Sequence, residues 1–111
     1  MPEELDIAGF RVTIDGDRAV CRFAVLEDMG VDPPPDLEDV FRREVESGGR
    51  LAGKRVVFAL DNMRAMSSRQ LGSLLAIRKA LEPEGLVPVR GIQPNVRELF
   101  GMTRMDQFFD Y

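Results

Sequence analysis

Apolar and polar residues alternate through Phe10-Arg11-Val12-Thr13-Ile14, the period of a half-buried strand. Asp15-Gly16-Asp17 is a hairpin turn signal, and the run Ala19–Leu26 predicts a second strand antiparallel to the first. Asp28–Asp36 holds Pro33, Pro34 and Pro35 and reads as a loop, because proline continues neither a strand nor a helix. Asp36 is the expected N-cap of a helix that turns Leu37, Val40, Phe41 and Val45 to one face and ends at Gly48 and Gly49. A loop over 48–53 follows. Arg55–Leu60 is then a nearly unbroken apolar run, as expected of a strand covered on both faces.

A short linker, Asp61–Met66, leads to Ser67 and Gln70, spaced as a capping box. The helix they open is predicted to bury Leu71, Leu74, Leu75 and Leu81, with Ile77 at the edge of that stripe. Arg69, Arg78 and Lys79 are predicted to face outward, and Pro83 and Gly85 to stop the helix. Leu86–Arg90 reads as a short strand, irregular or at a sheet edge because of Pro88. Pro94 suits the first turn of a last helix that carries Val96, Leu99 and Phe100 inward, and Met105–Tyr111 closes the chain with aromatic packing. The order β-β-α-β-α-β-α predicts a single α/β domain over residues 1–111. Its mixed sheet has four to five strands: a hairpin joined to a parallel portion.

Composition narrows the function. Hydrophobic residues make up 44% of the 111, enough for a core, and the net charge of −4 argues against a nucleic-acid binder. No apolar run reaches the length of about 18 residues that spans a bilayer. The first ten residues, MPEELDIAGF, are acidic where a signal peptide is basic. Cys21 is the sole cysteine, which forbids an internal disulfide and points to a reducing cytoplasm. Histidine is absent, which removes the commonest general base and transition-metal ligand. No P-loop and no G-x-G-x-x-G is present. The expectation is therefore a protein that is not an enzyme, with no catalytic residues, cofactor or metal, no nucleic-acid partner and no membrane insertion. Cys21 is expected in the core. Asp36, Glu38 and Asp39 favour a helix N-terminus, and Arg42, Arg43, Arg50, Lys54 and Arg55 read as scattered surface charges.

The stretch VVFALDNMRAMSSRQLGSLLAIRKAL (56–81) resembles a STAS domain, the fold of bacterial anti-sigma factor antagonists. The family pattern is an apolar strand, a short turn, then D-S-S-G-L-G opening a helix. Ser67-Ser68-Arg69-Gln70-Leu71-Gly72 stands in its place. Pro94, Val96, Leu99, Phe100, Met105 and Phe109 match the family's later strand, N-x-x-P-x-V helix and closing segment. The resemblance runs from about Phe10 to Tyr111, strong from Val56 onward and weak before it. It implies a STAS (SpoIIaa-like) fold with helices packed mainly on one face. It also implies a non-enzymatic regulator of transcription, an anti-anti-sigma factor working by protein–protein interaction. The partner implied is an anti-sigma factor/serine protein kinase of GHKL type, which phosphorylates Ser68, with Ser67 the alternative acceptor. The implied contact surface is Met63, Arg64, Met66, Ser67, Ser68, Arg69, Gln70, Gly72 and Ser73. Where the family has an acidic residue in the preceding strand this chain has Ala59, and Gly91 stands for the usual Asn. Those substitutions, with Ser67, Arg69 and Gln70, motivate an alternative. In it the protein is a STAS-like accessory or scaffold subunit, of lipid-transport or stressosome type, whose motif is degenerate and unphosphorylated.

A phosphate at the first helical position would lie where free N–H groups and the helix dipole favour an anion. It would add roughly −1.5 to −2 charge. A partner packed over that point would have to desolvate the charge, so binding would fall without any change of fold. The simpler readings are that Ser67 is an N-cap and Ser68 an ordinary first-turn serine. Met63 and Met66 read first as core filler; with Arg64 they would, if exposed, add an adaptable apolar contact surface.

Overall fold

The computed structural model describes residues 2–24 and 35–111. Six strands and three helices form an α/β unit around one mixed sheet: β1 (Glu3–Ile7), β2 (Phe10–Asp15), β3 (Arg18–Phe23), α1 (Leu37–Val45), β4 (Arg55–Ala59), α2 (Ser68–Leu81), β5 (Val87–Arg90), α3 (Pro94–Met102) and β6 (Phe109–Asp110). A 3₁₀ turn, Met105–Gln107, precedes β6. Strand order in space follows the chain, β1-β2-β3-β4-β5-β6. The first three strands are antiparallel neighbours; β4, β5 and β6 join in parallel. The part of the expected second strand at Val25 and Leu26, and the proline loop through Pro34, lie outside the described residues.

The sheet exceeds the four to five strands expected, at both ends. β1 lies in the acidic N-terminal stretch, where Leu5 and Ile7 are the only apolar positions of the strand that face the core. Its turn to β2 is Ala8-Gly9, with φ of 51° and 86°. Two residues with positive φ make the tight connection that suits twisted antiparallel strands, but Ala-Gly lacks the usual Asn or Asp signal. β6 has two residues, too short for any periodicity; Val87 N–H donates to Phe108 O at 3.0 Å where β6 joins. β5 is therefore an interior strand, and Pro88 sits opposite Asp110 rather than at the edge.

Parallel strands added in chain order, through crossovers of one hand, put every connecting helix on the same face. The core shows this. Phe10, Val12, Ala19, Cys21, Phe23, Val56, Phe58, Val87, Val89 and Phe109 form one cluster with Phe41 of α1, Leu74 and Ile77 of α2, and Val96 and Phe100 of α3. Phe41 meets Phe10 edge-on with ring centres 5.8 Å apart, and Phe109 lies between Phe58 and Phe100. Cys21 is fully buried here, and burial pushes its thiol up to about 12, so it stays protonated and inert. Val57 and Ala59 are also buried, at 2% and 4% exposure, but they stand outside that cluster, on the sheet's other face.

Several side chains depart from the periodic reading. Ile77 is at the centre of the α2 stripe, with Leu71, Leu74 and Ala80, whereas Leu75 and Leu81 are half-buried. Asp36 occupies the N-cap position of α1 without a side-chain cap bond; its carbonyl takes Val40 N–H at 2.9 Å. The charges expected to be scattered are partly paired. Arg42 reaches Glu38 at 2.7 Å, Lys79 of α2 reaches the same carboxylate at 3.7 Å, and Arg50 binds Glu44, whose carboxyl is held below its ordinary value by that hydrogen bond. Arg78 does not simply face water. It donates to Phe108 O at 3.0 Å and Gly85 O at 3.3 Å and stacks over the Phe108 ring at 5.0 Å.

Arg78 thus ties α2 to the segment that leads into β6. Arg78→Ala removes two charge-assisted bonds to carbonyls and one cation–π contact, and is expected to cost about 1.5–3 kcal/mol. Denaturant melts will read this loss, and Arg78→Lys will recover only part of it, since an ammonium cannot span both carbonyls in one plane.

Candidate functional site

The site is the junction between the end of β4 and the start of α2. Leu60 N–H donates to Arg90 O at 2.9 Å and closes the C-terminal edge of β4 on β5. The linker then turns at once: Met63 N–H donates to Leu60 O at 3.0 Å, and the Met63 side chain, 1% exposed, plugs the core below. Gln93 Nε2 donates to Asp61 O at 2.7 Å and clamps the linker from the α3 side. Gly91 makes this approach possible. Its φ is +65°, and a Cβ there would lie 2.8 Å from the Cβ of Asp61.

α2 begins with both halves of the capping box in place. Ser67 Oγ accepts Gln70 N–H at 3.2 Å, and Gln70 Oε1 accepts Ser67 N–H at 2.9 Å. Ser67 is therefore committed to the cap. Ser68, the first helical residue, is exposed and takes no part in it.

The nine residues implied as a contact surface divide into two groups. Arg64, Ser68, Arg69 and Gly72 are exposed, and Ser67 and Met66 are half-buried, Met66 against the core. Met63, Gln70 and Ser73 are buried. Met63 is the plug and Gln70 the cap. Ser73, 6% exposed, donates its Oγ–H to Arg69 O at 3.1 Å, one turn back. Gly72 is different. It is helical and exposed, and a Cβ there would meet nothing within 4 Å. The fold does not need a glycine at this point, and one in a helix costs about 1 kcal/mol relative to Ala. Ser68 and Gly72 are four residues apart and so share a face, leaving bare helix backbone beside the serine hydroxyl.

Sequence reasoning missed the clamp formed by Asp61, Gly91 and Gln93. Only Gly91, directly after a strand, carried a local turn signal; the contact joins residues about 30 apart in the chain, as in the Gln93–Asp61 bond. Among the described residues no group of three or more His, Cys, Asp or Glu side chains could hold a metal ion, and no helix is long and apolar enough to cross a membrane.

No family model matches the chain. A stretch of 81 residues, 73% of the chain, is 25% identical to the DNA-directed RNA polymerase subunit beta of Lactococcus lactis, in strains MG1363, SK11 and IL1403. The chain spans only 7% of those proteins. A likeness of that extent carries no activity across to this chain.

The two serines are expected to separate in stability measurements. Ser67→Ala breaks the capping box and should cost about 1 kcal/mol. Ser68→Ala should stay within about 0.5 kcal/mol of the parent, as exposed substitutions do. Urea midpoints of the two variants, measured side by side, check the assignment; equal losses would contradict it.

Proposed function

We propose that this protein is a STAS-type, non-enzymatic regulator of anti-sigma antagonist type, acting in the cytoplasm. It binds an anti-sigma factor/serine kinase of GHKL type through the start of α2. Phosphorylation of Ser68 releases that partner. The observation that carries the reading is the exposed Ser68 at the first position of a fourteen-residue helix, beside a cap built entirely by Ser67 and Gln70. The resemblance over 56–81 supports it, as does the alternation of parallel strands and helices behind the site. Ser67 is the weaker acceptor, because its Oγ is half-buried and engaged by Gln70 N–H.

The mechanism needs no change of fold. A phosphate on Ser68 would meet the positive end of the helix dipole, so the protein tolerates it. A partner closed over Ser68 and Gly72 would have to bury the added charge. A loss of about 1.4 kcal/mol is a tenfold weaker complex, and a desolvated, unmatched charge exceeds that.

A second reading has its own support. Gln70 stands where the family pattern has Gly and is spent on the cap, and Arg69 stands where it has the second Ser. An accessory or scaffold subunit would keep the helix as a docking edge without its phosphorylation chemistry.

Pull-downs against the GHKL-type kinases of the source genome separate the two. In the regulatory reading Ser68→Asp weakens the complex at least tenfold, and Gly72→Ala raises thermal stability while also weakening it. In the scaffold reading Ser68→Asp leaves partner binding unchanged. Failure of the unphosphorylated protein to bind any of those kinases would count against the regulatory reading.

A further inference from the structure

The side of the sheet that carries no helix among the described residues holds an ordered array of arginines. Side chains alternate between faces along a strand, so the pairing register shows which residues share this side. Arg11 pairs with Arg22, and Ala59 with Arg90, in one row across β2 to β5. Arg18 pairs with Arg55 in a second row. Val20 and Val57, paired with each other, lie between the rows. Val57 and Ala59 are the buried floor, and a groove of about 290 Å³ runs over Val20 and Ala59 between Arg18, Arg22 and Arg90.

The charges on this face are mostly uncommitted. Arg22 holds Asp61 at 3.4 Å. Among the described residues Arg18, Arg55 and Arg90 form no ion pair, and Arg55 and Arg90 are exposed. Glu4 and Asp6 on β1 and Asp110 on β6 stand at the margins of this face, while Asp15, opposite Arg18, and Asp61, held by Arg22, line the groove beside its three arginines. A chain of net charge −4 therefore presents a cationic strip along its central strands.

We propose that this face is a second docking surface, separate from the helix end at Ser68, and that its occupant is an acidic, extended segment of a protein partner. The two arginine rows are four residues apart along a strand, about 13 Å. An extended segment lying along β4 presents side chains of one side at every second residue. Carboxylates at its first and fifth positions reach the two rows, and an apolar side chain at the third lies over Val20 and Val57. Nucleic acid fits less well. Among the described residues the face has no aromatic side chain for a base to stack on, and a phosphate backbone leaving the strip would meet Asp6, Asp15 or Asp110.

The test uses the full chain, labelled with ¹⁵N, and the peptide acetyl-Glu-Ser-Val-Ser-Glu-amide as probe. Lysine replaces both glutamates in a control peptide, and a short single-stranded DNA is a second control. Amide shifts are expected at Val20, Arg22, Val57 and Ala59, weakening as salt is added. Arg55→Glu with Arg90→Glu should lower the affinity about tenfold, since each reversal removes an attraction and adds a repulsion. Both residues are exposed, and Arg55→Gln with Arg90→Gln should give a smaller loss in the same direction. No shift at millimolar peptide, equal binding of the lysine peptide, preferred binding of the DNA, or an unchanged affinity in the reversed variant would each overturn the proposal. None of these outcomes bears on Ser68, whose partner is tested separately.

Discussion

The architecture depends on one constraint: each new parallel strand is added beside the last, in chain order. A sheet grown that way through crossovers of a single hand collects its helices on one side. The core then forms on that side alone, and Phe41, Phe58, Phe100 and Phe109 fill it without reference to the other. The same geometry brings the end of each parallel strand to the start of the next helix. The start of α2 is therefore presented at the rim of the sheet, where Ser68 and Arg69 stay exposed while Gln70 and Leu71 turn inward.

The second consequence is a face that carries no helix among the described residues. A strand buried on both sides reads as a continuous apolar run, and β4 does so even though only one of its sides meets helices. Val57 and Ala59 account for the difference. They are small and buried on the other side, Val57 in register with Val20 and Ala59 with Arg90. The open face thus keeps a shallow apolar floor between charged rows, a composition unlike the dry core behind it.

Most of the frame was legible because its signals are local. The alternation in Phe10–Ile14, the S-x-x-Q at Ser67 and the leucines of α2 each report a period or a cap within a few residues. What escaped reading rests on pairing between distant segments. β1 shows two inward apolar residues and an Ala-Gly turn, and β6 is two residues long; both become strands only because a neighbour offers hydrogen bonds. The ties of Arg78 to Phe108 O and Gly85 O, and the fit of Gly91 against Asp61, are likewise tertiary facts with no periodic trace. At the candidate site the spacing already marks Ser67 and Gln70 as the cap, whereas the bond of Ser73 to Arg69 O leaves no trace in it; the bonds complete the division between residues spent on the helix and the exposed Ser68.

That division matters to how a switch could work here. A helix end whose cap depended on the modified serine would lose stability on modification, and signalling would be mixed with unfolding in a domain of modest size. Here the cap is closed by Ser67 and Gln70, so Ser68 can change its charge while the reciprocal bonds persist. Gly72 adds to the separation. The helix is weaker for having glycine there, yet no neighbour forbids a larger residue, so the stability cost has no counterpart in the fold. In the proposed reading a close-lying partner backbone at Ser68 and Gly72 would supply that counterpart, and charge at Ser68 would act on the same contact.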